Sequence, residues 1–250
     1  MVYSTPGARA LVLGTLMRDA LDNLPDPHKA VAERCEMHRS DLSRFLAGKR
    51  TISDADLAVL ADICGFRSRK ERNILLELNR NRRQPEWWLG PSGQEVHDKA
   101  ETILESLSRD VTVFAPFEIP RELHTESRPQ PRFERELGNG VCRTYYIGLP
   151  ALQRLKLSTK AAQEQARLLF WLTSVLTIRL VIAPEIGSPF RVLDLVESRT
   201  IVKLGNRGIG ELYLESPSDV RYYKRLMGGI STMADNEDES RVRLAQIADP

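Results

Sequence analysis

One stretch constrains this chain more than any other: residues 32–50, Ala-Glu-Arg-Cys-Glu-Met-His-Arg-Ser-Asp-Leu-Ser-Arg-Phe-Leu-Ala-Gly-Lys-Arg. Val31, Ala32 and Cys35 fall on the inward side of one short helix, and Leu42, Phe45 and Leu46 form the buried stripe of the next. Met37 is the apolar plug of the turn between them, and Gly48-Lys49-Arg50 is a basic exit from the second helix. Two short helices, a tight turn and such an exit have the shape of a helix-turn-helix.

The neighbouring sequence predicts the rest of a five-helix bundle. Leu11, Val12, Thr15, Leu16, Ala20 and Leu24 recur at helical spacing and give a first helix over 8–23. Asp26-Pro27 caps and opens the second, with proline at the first helical position, where its missing N–H costs least. Ser53 to Asp56 approximates a capping box for a fourth helix that buries Leu57, Leu60, Ala61 and Cys64 and ends at Gly65. Ser68 to Glu71 is a capping box for a fifth, which buries Ile74, Leu75 and Leu78.

Net charge is only +2, so bulk basicity does not announce a nucleic-acid partner. The distribution is more telling. Residues 67–83 hold seven cations against Glu71 and Glu77, and residues 34–50 hold five against Glu36 and Asp41. A locally basic face on a near-neutral chain fits a DNA-binding domain joined to a neutral one.

Helices one to five, over about residues 8–80, resemble the Xre-type, phage-repressor-like helix-turn-helix family. The resemblance rests on Ala32, Met37, Leu42, Ser43-Arg44 and Gly48-Lys49. It implies that helix 38–47 enters the major groove of duplex DNA. Arg39 and Ser40 then reach base edges, with Arg44 about one turn further along the same face, where Arg can bond guanine O6 and N7 together. Ser43, Lys49, Arg50 and His28 would hold phosphates. The family usually has Gln where His28 stands and Gly where Glu36 stands. Either the turn is bent differently here or Glu36 takes a left-handed conformation.

Beyond the bundle the pattern changes. Asn79 to Gly93 is polar and carries Trp87-Trp88, read as a linker whose tryptophans dock onto their own domain. A connecting helix follows, with Val96, Ala100, Ile103, Leu104 and Leu107 on one face. Strands are predicted over 111–114, 141–147, 177–182, 190–196, 200–204 and 211–214, and helices over 158–174, from Ser216 and over 236–248. Residues 125–140, charged and rich in Pro and Gly, read as a mobile loop. The expected fold is α+β: a five-helix helix-turn-helix bundle over 1–84, a linker over 85–94, and a mixed α+β domain with a mainly antiparallel sheet over 95–250.

The tail resembles the C-terminal domain of actinobacterial regulators described as Scr- or WhiJ-like. The resemblance is carried by Pro189 to Asp194, by Gly210 to Ser216 and by Glu237-Asp238-Glu239-Ser240. Two elements depart from that pattern. Pro120 to Thr125 stands where the family carries Pro-Gly-Leu-Leu-Gln-Thr, and Val202-Lys203-Leu204 where it carries Tyr-x-Glu. The resemblance implies a regulator, or an antitoxin-like protein that holds a small partner protein and binds DNA for autoregulation.

Other chemistries find little footing. Cys35 and His38 could share a metal, but the turn intervenes and no second pair exists. A Cys–His enzyme would need Cys142 near His97 or His124, with no local motif for it. Glycines 205, 208 and 210 lie between two strands and precede no helix, so they read as a hairpin turn and not as a phosphate loop. The three cysteines form no framework, and nothing reads as a signal peptide or membrane span. The expectation is a cytoplasmic, non-enzymatic chain with no cofactor and no metal. It binds double-stranded DNA, and residues 95–248 mediate self-association into a homodimer or capture of a small protein partner, with Trp171 beside Phe170 and the pair Tyr222-Tyr223 as candidate contacts.

Overall fold

In the computed structural model of the chain, the described residues are 7–80, 86–90, 94–125, 140–154, 160–184, 187–196, 198–206 and 210–249. The chain divides into two compact units, Met1–Leu104 and Glu105–Pro250.

The first unit holds the five expected helices: α1 (Ala8–Asp22), α2 (His28–Arg34), α3 (Arg39–Leu46), α4 (Asp54–Ile63) and α5 (Arg69–Arg80). α1 packs against both α3 and α5. It therefore buries Val12, Leu13, Leu16, Met17 and Leu21. Leu11, Thr15, Ala20 and Leu24, of the same periodic set as the buried Val12 and Leu16, are half-buried.

Pro27 is a second correction. It occupies the N-cap position, with ψ 147°, and α2 begins at His28. Asp26 makes no cap; its carboxylate pairs with Arg34 Nη1 at 2.9 Å. The other starts follow expectation. Ser53 and Asp56 bond reciprocally, as do Ser68 and Glu71, so each pair satisfies two backbone donors that a helix start leaves open. Asp54 then accepts from Asn79 Nδ2 and Arg80 Nε, tying the start of α4 to the end of α5. Those two bonds hold the Asp54 carboxyl below its ordinary pKa.

Within the segment read as a linker, Glu86–Leu89 form a short strand, β1, and the expected connecting helix follows it as α6 (Gln94–Ser106). Trp87 is buried and Trp88 exposed. The Arg9 guanidinium lies 5.6 Å from the centroid of the Trp87 ring, and its Nη2 donates to the Glu86 carbonyl at 3.3 Å. Trp87 thus docks on α1 of its own unit.

The second unit is built on β2 (Ser108–Ala115), β3 (Cys142–Gly148), β4 (Thr177–Val181), β5 (Phe190–Leu195), β6 (Thr200–Asn206) and β7 (Gly210–Leu214). These strands lie in the order β7-β6-β5-β2-β3-β4. β2 pairs β3, and β3 pairs β4, in parallel; β2–β5, β5–β6 and β6–β7 are antiparallel. The mixed, mainly antiparallel sheet and the helical first unit make this an α+β fold. A short helix α7 (Leu149–Gln153) and a 3-10 turn (Arg121–Leu123) lie where the sequence pattern gave no element. Helices α8 (Lys160–Leu172), α9 (Pro217–Met233) and α10 (Glu237–Ala248) match the expected ones. Most of the expected loop over 125–140, and residues 207–209 of the expected hairpin turn, lie outside the described residues. Asn206 and Gly210 pair across the ends of that turn.

The two faces of the sheet differ in chemistry. One buries Phe114, Tyr146, Phe190, Val192, Val202 and Leu214 against Met227 and Ile230 of α9. The Arg179 guanidinium closes the far end of α9, donating to the Ser231, Ala234 and Asp235 carbonyls, where the helix leaves acceptors open. Edge strand β4 is covered as well: Leu180 N donates to Ser240 Oγ of α10, and Asp235 N to the Leu180 carbonyl.

The opposite face carries charge. Arg191 bonds Glu105 and Glu122 at 2.7 and 2.8 Å, and Arg143 reaches Glu105 at 3.3 Å. On the β6–β7 ribbon, Lys203 Nζ lies 2.7 Å from Glu211 Oε1, and Tyr213 Oη donates to Glu211 Oε2 at 2.9 Å. Burial pushes the Tyr145 phenol on this face well above its ordinary pKa, and Glu122 and Glu105 add to the shift.

Candidate nucleic-acid interface

The turn between α2 and α3 is built from backbone hydrogen bonds. Glu36 N donates to the Glu33 carbonyl and Met37 N to the Ala32 carbonyl, the two bonds of a Schellman motif. That motif needs a left-handed residue between them, and Glu36 supplies it with φ 52°. Of the two ways to accommodate the missing glycine, the chain takes the left-handed one. Met37 is only half-buried. His38 caps α3, its Nδ1 accepting from Ser40 N at 3.3 Å.

The far end of α3 repeats the motif with a glycine. Gly48 has φ 71°; its N–H donates to the Phe45 carbonyl, and Lys49 N donates to the Arg44 carbonyl. The direction in which Lys49 and Arg50 leave the helix is therefore fixed by two backbone bonds.

α3 is seated closely on α1. A Cβ added at Gly14 would meet the Leu46 carbonyl oxygen at 2.4 Å, and Arg18 Nη2 donates to that oxygen at 3.0 Å. Leu42, Phe45 and Leu46 are buried, while Arg39, Ser40, Ser43 and Arg44 are exposed. An eight-residue helix thus divides into one apolar side and one polar side holding two arginines and two serines.

These side chains are not equally placed. Arg39 makes no ion pair among the described residues, and Lys49 is exposed. Arg44 folds back along the helix: Nε donates to the Ser40 carbonyl at 3.1 Å, and Nη2 donates to Ser40 Oγ at 3.3 Å and to Asp41 Oδ1 at 2.9 Å. Arg50 Nη1 reaches the same Asp41 oxygen at 2.8 Å. His28 lies at the start of α2 with Nε2 2.8 Å from Asp22 Oδ1. The basic stretch from Arg67 into α5 is partly neutralised, since Arg67 and Arg72 both pair with Asp62. Arg69 and Lys70 are exposed, and Arg82 and Arg83 lie outside the described residues.

Sequence reasoning missed Asp41, His38 and Arg18 as parts of this site. The capping role of His38 was open to a positional reading, since it stands just before the first apolar-periodic residues of α3. The pairing of Asp41 with Arg50, nine positions away, was not. Cys35, once a candidate ligand beside His38, is buried, and burial raises its thiol pKa. Cys142 is exposed at the start of β3. Among the described residues no three His, Cys, Asp or Glu side chains converge as a metal site, and no helix is long and apolar enough to cross a membrane.

Residues 27–75 match the family model described as a helix-turn-helix domain, which implies DNA as a partner. They span α2 through the middle of α5, including the turn at Glu36 and the whole of α3. No curated protein matches the chain. Among solved structures, the chain is similar to TrmBL2, an archaeal chromatin protein with a novel mode of DNA binding, at 13% identity over 80% of this chain and 72% of that one. The TM-score is 0.38, and so faint a likeness is given no weight. Residues 100–246 match a further family model, the domain of unknown function DUF5753. Since that match covers more than half of the chain, the chain belongs to the DUF5753 family, here with a helix-turn-helix domain ahead of the family's own.

Proposed function

We propose that this chain is a sequence-specific double-stranded DNA-binding protein of the cytoplasm that regulates transcription by reading the major groove with α3. The observation that carries the reading is the division of that helix. Its apolar side is wholly buried, and its exposed side presents Arg39, Ser40, Ser43 and Arg44 in one row. Arg39 has the fork geometry that bonds guanine O6 and N7, Arg44 offers its Nη1 to a base acceptor, and a serine serves either base type. Ser43 in that row, with Lys49, Arg50 and His28 outside it, suits phosphate oxygens, which set register without reading sequence.

One recognition helix covers one half-site, so we assign a dimer, which places two such helices about one turn of DNA apart. The second unit acts in this reading by association and not by catalysis. Trp171 is 62% exposed and Tyr222 54%, both large for solvated positions.

The test is a salt titration of duplex binding by the full chain and by Lys49→Ala, with sedimentation of the same mixtures for stoichiometry. The expected result is two chains per site and a steep fall of affinity with salt. Lys49→Ala lowers the log–log slope by about 0.9 per recognition helix and weakens all sequences alike. An unchanged slope removes Lys49 from the phosphate set, and salt-insensitive binding removes the whole reading.

A further inference from the structure

We infer that Asp41 is a specificity-setting residue of the DNA-reading surface: one carboxylate oxygen orients Arg44 toward bases and withholds Arg50 from non-specific phosphate contact. The inference rests on the reading of α3 as the recognition helix.

An acidic side chain in the first turn of a helix is ordinarily explained by the helix dipole or by capping. Asp41 stands in that first turn, but it does not cap the helix. His38 already caps α3, and the Asp41 carboxylate turns instead to two guanidinium groups. Both bond Oδ1, at 2.9 Å from Arg44 and 2.8 Å from Arg50. The carboxylate is the most sheltered of the three groups, its side chain 22% exposed against 52% for Arg44 and 46% for Arg50.

Two consequences follow. Two cations and one anion act as a single positive charge, so the surface attracts phosphate less than its arginine count suggests. Affinity for arbitrary duplex is mostly phosphate attraction, so Asp41 lowers that part. Second, Arg44 is held at Nε and Nη2 by the Ser40 carbonyl, Ser40 Oγ and Asp41. Its Nη1 is left for the DNA, on a guanidinium whose plane is already set. Orienting it before contact removes a rotamer cost at the base-reading step. The same carboxylate thus weakens non-specific binding and favours the specific contact.

The test uses the full chain and two duplexes, a site recovered by selection and a scrambled sequence of equal composition. Each is titrated across salt with wild type, Asp41→Asn, Asp41→Glu, Arg44→Ala and the Arg44→Ala/Asp41→Asn double variant. Asp41→Asn is expected to bind the scrambled duplex several-fold more tightly, with a slope steeper by about 0.9 per recognition helix as Arg50 turns to phosphate. The ratio of selected to scrambled affinity falls tenfold or more. Asp41→Glu, which keeps the charge, restores most of the ratio, and in the Arg44→Ala background Asp41→Asn changes it much less than in wild type. A carboxylate that merely repels DNA would raise both affinities equally and leave the ratio untouched, and that result overturns the inference. If wild type itself does not distinguish the two duplexes, the reading of α3 falls and this inference with it. An unchanged ratio in a discriminating wild type removes the role of Asp41 alone.

Discussion

Lys203→Met is expected to destabilise the second unit by about 3–5 kcal/mol, the typical loss when one member of a buried ion pair is removed. Lys203 and Glu211 are 7% and 1% exposed at their side chains, and their charged atoms meet at 2.7 Å across the β6–β7 ribbon. Methionine matches the lysine stem in length and keeps its packing, so the loss reports the charge and not a cavity. Glu211 keeps its bond from Tyr213 Oη, but a hydroxyl does not replace an ammonium against a carboxylate. The net worth of the pair is a different quantity. Replacing both residues, as Lys203→Met with Glu211→Leu, is expected to return most of the lost stability, because no buried charge is then left alone. Urea unfolding followed by circular dichroism checks both variants. A single-variant loss below about 1 kcal/mol, the scale of an exposed pair, would contradict the burial of this bond.

Gly14→Ala carries the second large effect, and it reaches the DNA-facing helix. Two terms oppose each other. Alanine favours a helix interior over glycine by about 1 kcal/mol. Against that, the new methyl would stand 2.4 Å from the Leu46 carbonyl oxygen and 2.9 Å from its carbon, atoms of the α3 backbone that cannot swing aside as a side chain would. Overpacking of this kind costs about 1–3 kcal/mol, and here the clash is with backbone, so the steric term wins. Relief comes only by moving α1 and α3 apart, which also loosens the Arg18 bond to the Leu46 carbonyl. The expected result is a net loss of about 1–2 kcal/mol with weaker duplex binding. Gly14→Val should cost more, since its branched side chain adds bulk and lacks the propensity gain of alanine. A variant more stable than wild type, with unchanged affinity, would show that α1 and α3 are not in the close contact described.

Much of this architecture was legible in the sequence because it is local. Capping boxes at Ser53 and Ser68, the glycine exits at Gly48 and Gly65, and the proline start of α9 each depend on residues within a few positions of one another. The six strands of the second unit were legible from β-branched and aromatic runs bounded by turn residues. The docking of a tryptophan from the Trp87-Trp88 pair was legible, although which of the two is buried, and its place in a strand, was not.

What stayed hidden depends on contacts between distant positions. The innermost ridge of α1 was not legible because two neighbours, α3 and α5, share that helix, and one helical period cannot say which ridge lies between two partners. α7, five residues long with a proline near its start, is too short to show a period. Lys203 was noted only as a departure from a Tyr-x-Glu pattern. Its meaning came from register, which sets Lys203 opposite Tyr213 and brings Glu211 within reach. Asp41 stood in plain view, counted as an acid diluting a basic stretch. Its pairing with Arg50 needs the reversal of the chain at Gly48, which spacing alone does not place in three dimensions.

The central claim is that α3 reads duplex sequence, and Arg39 tests it most directly, because it is exposed on that helix and makes no ion pair among the described residues. The measurement is selection of binding sites from random duplex DNA with wild type and with Arg39→Ala, followed by titration of each protein on both selected pools. If α3 is the reader, wild type returns a defined site, and the variant loses preference at one base pair of each half-site. The variant should then bind the wild-type site about 1–3 kcal/mol more weakly, with non-specific binding much less affected. Identical base preferences from the two proteins, with equal affinity for the wild-type site, would contradict it.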